Sequence, residues 1–175
     1  MSIDELLDRE AIREAMAQYA RGIDRQDADL VRDAYWPDGW DAHGSHEGTP
    51  EEFVAFVQRN WPQFRMQHIF GQHHIELMGA RAHVETHFVA HHRLLDSGVE
   101  YVLGGRYNDR FEKRDGMWKV RHRVVVFDWR KQWITEALDE QKLDLFAPRN
   151  RGGTENDYSW QLFGATSDLS QAPWA

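Results

Sequence analysis

No cysteine occurs among the 175 residues, which excludes a disulfide framework and a thiolate metal site and suits a reducing compartment. No apolar run approaches the roughly 20 residues needed to span a bilayer. The N-terminus, "MSIDELLDREAIREAM", has neither the basic nor the apolar region of a secretory signal. The expectation is an unexported, cytoplasmic protein without a membrane partner. Positive charge is in deficit as well: 21 Lys and Arg against 29 Asp and Glu give a formal net charge of −8. That is the wrong sign for nucleic acid, whose phosphates are held by a cationic surface that releases counterions. A glycine-rich phosphate loop is also missing, because "GGR" at Gly104 to Arg106 is not followed by a helical pattern.

What is abundant is the side chain with an apolar body and a polar tip: eight Trp, nine Phe, five Tyr and ten His. Such residues build apolar pockets with a few polar groups, and they suit a small aromatic ligand. The length fits one domain with one sizeable core.

Along the chain, Leu6, Ile12, Met16, Tyr19 and Ile23 recur at helical spacing, and Ser2 with Glu5 offers a capping box. This predicts a long amphipathic helix over residues 3–23. Asp27 or Asp29 begins a second, short helix carrying Leu30, Val31, Ala34 and Tyr35 until Pro37 stops it. Thr49, Pro50, Glu51 and Glu52 form the start of a third, with Phe53, Phe56, Val57 and Trp61 following on one face. After Phe64 the period becomes alternating. Residues 67–77, 81–95, 100–113 and 117–129 read as antiparallel strands joined by turns, the last through Asp115-Gly116. Helices first and a meander afterwards predict an α+β domain, three helices packed on one face of a curved antiparallel sheet. Residues 1–133 form that domain. Residues 134–175 form a turn-rich extension, with Tyr158, Trp160 and Phe163 as its anchors on the domain or on a neighbouring subunit.

Three histidines crowd "MQHIFGQHH". His68 opens a strand after the third helix, where a carboxylate from the first helical hairpin can hold one ring nitrogen and raise the basicity of the other. Asp24 is the candidate partner, although an acid at a helix junction also serves as a cap. A metal is the alternative use of His87, His91 and His92, but strand alternation sets His87 and His91 two pleats apart, which is awkward for chelation. In residues 81–93 the even positions read inward, which makes His92 a cavity residue and His83, His87 and His91 a polar face. Arg123, among valines of the last strand, stabilises an anion or pairs across strands. Tyr19 lies one helical turn before Asp24. Trp36, Trp40, Phe53, Trp61 and Phe70 read either as core or as pocket wall.

The order of elements, together with "YARGIDRQDADLVRDAYWPDGWDAHGSHEGTPEEFVAFV", "QHIFG" and "RYNDRFEKRDGMWKVRHRVVVFDW", resembles the SnoaL-like branch of the nuclear transport factor 2-like superfamily over residues 4–129. The resemblance implies a cone-shaped α+β barrel with a deep apolar pocket, and a homo-oligomer, dimer or trimer. Its eliminating members include dehydratases, dehydrochlorinases and lyases of lignin-derived diaryl compounds. It implies His68 as the base, Asp24 as its partner in an Asp/His dyad, and Tyr19 and Arg123 as stabilisers of departing oxygen or negative charge. The pocket it implies takes in Trp36, Trp40, Phe53, Trp61, Phe88, His92 and Tyr107. No cofactor and no metal are implied. The expected function is a lyase of the elimination type acting on a small hydrophobic, aromatic or polycyclic substrate. The alternatives are an isomerase or polyketide-cyclase-like enzyme using the same dyad, and a binding module for an aromatic ligand.

Overall fold

The first helix starts where its cap lies: Ser2 Oγ accepts from Glu5 N, and the Glu5 carboxylate returns a bond to Ser2 N at 2.8 Å. The structure, a computed structural model, describes residues 1–134 and 158–163. Helix α1 spans Ile3–Arg25 and ends at Gln26, whose φ of 59° is left-handed. Asp24 therefore lies in its last turn rather than beyond it. Ile12, Met16, Tyr19 and Ile23 form the buried stripe, whereas Leu6 stays exposed. Each such fully buried large apolar side chain contributes about 1.5–3 kcal/mol.

Helix α2 (Ala28–Asp33) is capped by Asp27, whose carboxylate accepts from Asp29 N and Leu30 N. It folds back tightly on α1. A Cβ on Gly22 would stand 2.9 Å from both Val31 N and Val31 Cγ2, so the close approach needs glycine. Helix α3 (Pro50–Asn60) starts at the expected cap, Thr49, where Glu52 completes a capping box, and passes into a single 3-10 turn, Trp61–Gln63.

The sheet is built of β1 (Tyr35–Ala42), β2 (Glu47–Gly48), β3 (Phe64–Met78), β4 (Arg81–Leu94), β5 (Val99–Arg114) and β6 (Met117–Ile134). Its order is β2-β1-β6-β5-β4-β3. The long meander β3 to β6 is antiparallel, and its last turn has positive φ at Asp115 and Gly116. β1 corrects the expectation of a wholly antiparallel sheet and of a helix running through Tyr35. It is extended and pairs parallel to β6. Proline at position 37 disfavours helix at Trp36, and the register shift between Tyr35 and Trp40 absorbs its missing N–H. Helices and a curled mixed sheet together give the α+β cone, with the core between them.

The chain divides into two units, Met1–Thr135 and Glu136–Ala175. Of the second, only a short helix, α4 (Tyr158–Leu162), is described; how the extension packs lies outside the described residues. Among the described residues no helix is long and apolar enough to cross a membrane.

Candidate active site

Among the described residues β3 is an edge strand, so half of its backbone N–H and C=O groups have no strand to pair with. Helix α1 runs along that edge and satisfies it: Arg9 donates to Ile75 O, Gln26 to Trp61 O and Phe64 O, and Asp24 accepts from His68 N at 2.9 and 3.1 Å. At the other end of α1, Asp8 accepts from Lys113 Nζ and Trp118 Nε1. The helix is thus pinned to β3, β5 and β6, and this fixes where Asp24 can reach.

Asp24 also takes the His68 ring. Nδ1 stands 2.7 Å from Asp24 Oδ1, and both side chains are nearly buried. A carboxylate only accepts, so Nδ1 carries the hydrogen and the neutral imidazole keeps its lone pair on Nε2. Nε2 is left for a ligand, because His68 lines a cavity of about 310 Å³ between the helices and the concave sheet.

The structure brings most of the expected residues to that cavity. Tyr19, Phe53, Trp61, His68, Phe88, His92 and Tyr107 all line it. The tryptophans 36 and 40 do not, which corrects the pocket read from the sequence. Trp36 Nε1 donates to Glu112 O on the far side of the barrel wall, with the Arg114 guanidinium 4.8 Å over its ring. Trp40 is outward and 37% exposed, because the inward positions of β1 around it are Gly39 and Asp41. Phe70 packs against the core with its ring 5.5 Å from Tyr107. His73 bonds Thr86 Oγ1, and His74 is exposed beside Glu76.

Arg123 is a second correction, since it does not reach the cavity. It is fully buried beneath the tyrosine wall, with Nε and Nη2 both 2.7 Å from the Asp109 carboxylate. Its guanidinium carbon lies 4.3 Å from the centre of the Tyr19 ring and 4.5 Å from that of Tyr107. All its charge is matched within the protein. Burial pushes the Tyr19 phenol well above its ordinary range, against the pull of Arg123, so its hydroxyl stays protonated at the cavity wall.

His92 occupies the inward position expected from alternation, 5.6 Å ring to ring from His68 and stacked on Tyr101 at 4.9 Å. Burial, then the neighbouring His68, push its pKa down to about 3. It is therefore neutral near pH 7 and does not oppose a positive charge forming on His68. Among the described residues no group of three or more His, Asp and Glu converges as a metal ligand set.

Sequence reasoning missed His43, Ser45 and Asn60, which also line the cavity. For His43 a signal existed in "DAH": on a strand, Asp41 and a residue two positions on share a face.

A model of the SnoaL-like domain matches residues 4–124, well over half of the chain. No curated protein matches. Among solved structures, a scytalone dehydratase-like protein of Novosphingobium aromaticivorans has 20% identity and a TM-score of 0.71, covering 78% of this chain and 95% of that one. The hexachlorocyclohexane dehydrochlorinase LinA-type3 of Novosphingobium barchaimii has 17% identity and a TM-score of 0.69, with 77% and 95% covered. A Kribbella flavida protein, Kfla4162, has 18% identity and a TM-score of 0.67, with 73% and 95% covered. At these identities the likeness is one of fold, and the match to the domain gives the family. The chain belongs to the SnoaL-like branch of the nuclear transport factor 2-like superfamily.

Proposed function

We propose that the protein is a lyase that eliminates a leaving group from a small hydrophobic, aromatic substrate, with His68 as the base. The observation that carries this reading is the 2.7 Å contact of Asp24 with His68 Nδ1 at the wall of an aromatic-lined cavity. His68 Nε2 takes a proton from carbon, and the electron pair of that C–H bond forms the new double bond as the leaving group departs with its own pair. Asp24 steadies the imidazolium that forms, and the Tyr19 hydroxyl donates to a substrate oxygen. A volume of about 310 Å³ is at the low end of ligand cavities, which run from about 300 to 1,000 Å³. That supports one or two rings better than a larger polycyclic substrate.

The relatives support the same chemistry by name, one as a dehydratase and one as a dehydrochlorinase. The test is a screen of the purified protein against aromatic alcohols and halides, with products read by mass spectrometry. Loss of water or halide is expected with wild type and not with His68→Ala, which stays folded. Products of unchanged mass would make the protein an isomerase, and turnover retained in His68→Ala would remove the base from the mechanism.

A further inference from the structure

A second histidine backed by a buried carboxylate faces the same cavity. Asp41 is fully buried on β1, and Tyr35 Oη donates to its Oδ2 at 2.7 Å. Its other oxygen, Oδ1, lies 3.3 Å from His43 Nδ1. Among the described residues neither of these two buried atoms makes a hydrogen bond, and each is the nearest charge complement of the other. The His43 ring stacks on Phe53, with centroids 4.8 Å apart and planes 23° from parallel. With Nδ1 turned to Asp41 and the face covered, Nε2 is the nitrogen left for the cavity that His43 lines.

The charges behind His43 bear on what Asp41 asks of its neighbour. Behind it lie Asp41, Asp109 and Arg123, all buried and joined through Tyr35, whose hydroxyl accepts from Arg123 Nη1 at 3.0 Å. Arg123 is engaged at two nitrogens by Asp109, so among the described residues Asp41 is the carboxylate of this network without an arginine of its own. An isolated buried carboxylate is costly, and a cation in contact with it is strongly favoured. Burial pushes the Asp41 carboxyl up, but His43, Arg123 and Tyr35 bring it below the usual range. The other groups near His43 do not compete for that role: the Tyr107 ring is 5.9 Å away, Tyr19 and Tyr107 stay protonated, and His92 is neutral. His68 has its own carboxylate in Asp24. His68 stands on β3 and His43 just past β1, with three strands between them in the sheet order, so the curled sheet sets one at each side of the cavity.

We infer that His43, held by Asp41, is the proton donor to the leaving atom, and that the substrate therefore loses an oxygen group, as water or an alcohol, rather than halide. This rests on the elimination reading above. In the step, the carbon proton passes to His68 Nε2 and the C–H electrons form the double bond. The C–O bond breaks with its pair on oxygen, and that oxygen takes the proton of His43 Nε2. Afterwards His68 is charged and His43 neutral, and one proton passed between them through water restores the start. Halide needs no proton to leave, so a proton donor at the opposite wall of the cavity has a use with oxygen that it lacks with halide.

The experiment uses two probes in which removal of a carbon proton expels a phenolic oxygen, 1,2-benzisoxazole and its 5-nitro derivative. The nitro compound has a good leaving group and gains little from an acid. Wild type is expected to accelerate both. His43→Gln is expected to lose about 100-fold on the plain compound and far less on the nitro compound, whereas His68→Ala loses both alike. A wild-type pH profile keeps the test independent of how the variants fold. The plain compound needs a protonated donor, so its rate falls on the alkaline side, and the nitro compound's rate does not. Equal loss on both probes in His43→Gln, or the same pH profile for both, overturns the assignment of His43 alone. Acceleration that survives in His68→Ala, or none in wild type, overturns the elimination reading and this inference with it.

Discussion

Asp24 holds His68 at two places at once, the backbone N–H at 2.9 Å and ring Nδ1 at 2.7 Å. The first bond fixes the strand against helix α1 and the second fixes the ring, so one carboxylate sets both the position and the tautomer of the imidazole. Asp24→Asn separates the two tasks. The asparagine oxygen still accepts from the backbone, and the fold is expected to survive with a small change in melting temperature. The amide can instead donate to Nδ1, which moves the ring hydrogen to Nε2 and removes the lone pair from the cavity. Turnover is expected to fall about 10²–10⁴-fold, chiefly in kcat. Steady-state kinetics beside a thermal melt checks this, and kcat close to wild type shows that the pair is structural only.

Arg123 is expected to matter for stability more than for chemistry. In Arg123→Met the Asp109 carboxylate is left buried without its bidentate partner, a loss that costs about 3–5 kcal/mol. Removing both charges in Arg123→Met with Asp109→Leu is expected to recover most of it. Urea denaturation of the two variants measures the difference. If the double variant is no more stable than the single one, the charge of Asp109 is not what the arginine answers.

How much was legible in the sequence depends on how local each signal is. The capping box at Ser2/Glu5, the helix start at Thr49-Pro50, the Asp115-Gly116 turn and the inward alternation of 82–92 are decided within a few residues, and they stand where the pattern put them. β1 was not legible, because residues 35–42 contain Pro37 and Gly39 and become a strand only by pairing with β6, some 85 positions on at Tyr35↔Val120. Misreading β1 misplaced Trp36 and Trp40 and hid Asp41 and His43. Composition and spacing left Asp24 as a cap or as the partner of His68, and the family resemblance favoured the pair. Arg123 shows the limit of that resemblance, since a matched position placed the side chain in the site while Asp109, unnamed in the sequence reading, turns it into the support beneath the site.

His92 makes stability depend on acid. Its pKa falls from the ordinary 6.5 to about 3 on burial, so between these values the unfolded chain binds a proton that the folded chain refuses. Stability is therefore full above about pH 6.5 and declines as pH falls toward 3, by up to about 1.4 kcal/mol per pH unit for one proton. His73 is depressed too, by burial first and then by Arg13, and adds to the same slope. His92→Phe replaces the ring and removes the buried Nδ1, which has no hydrogen-bond partner among the described residues. Its unfolding free energy is expected to fall less steeply between pH 6.5 and 4.5 than that of wild type, by roughly one proton's worth of slope. Chemical denaturation at a series of pH values measures this directly. Parallel slopes in the two proteins would mean that His92 takes up its proton in the folded state as readily as in water, and then a second cation beside His68 would oppose the imidazolium that proton abstraction creates.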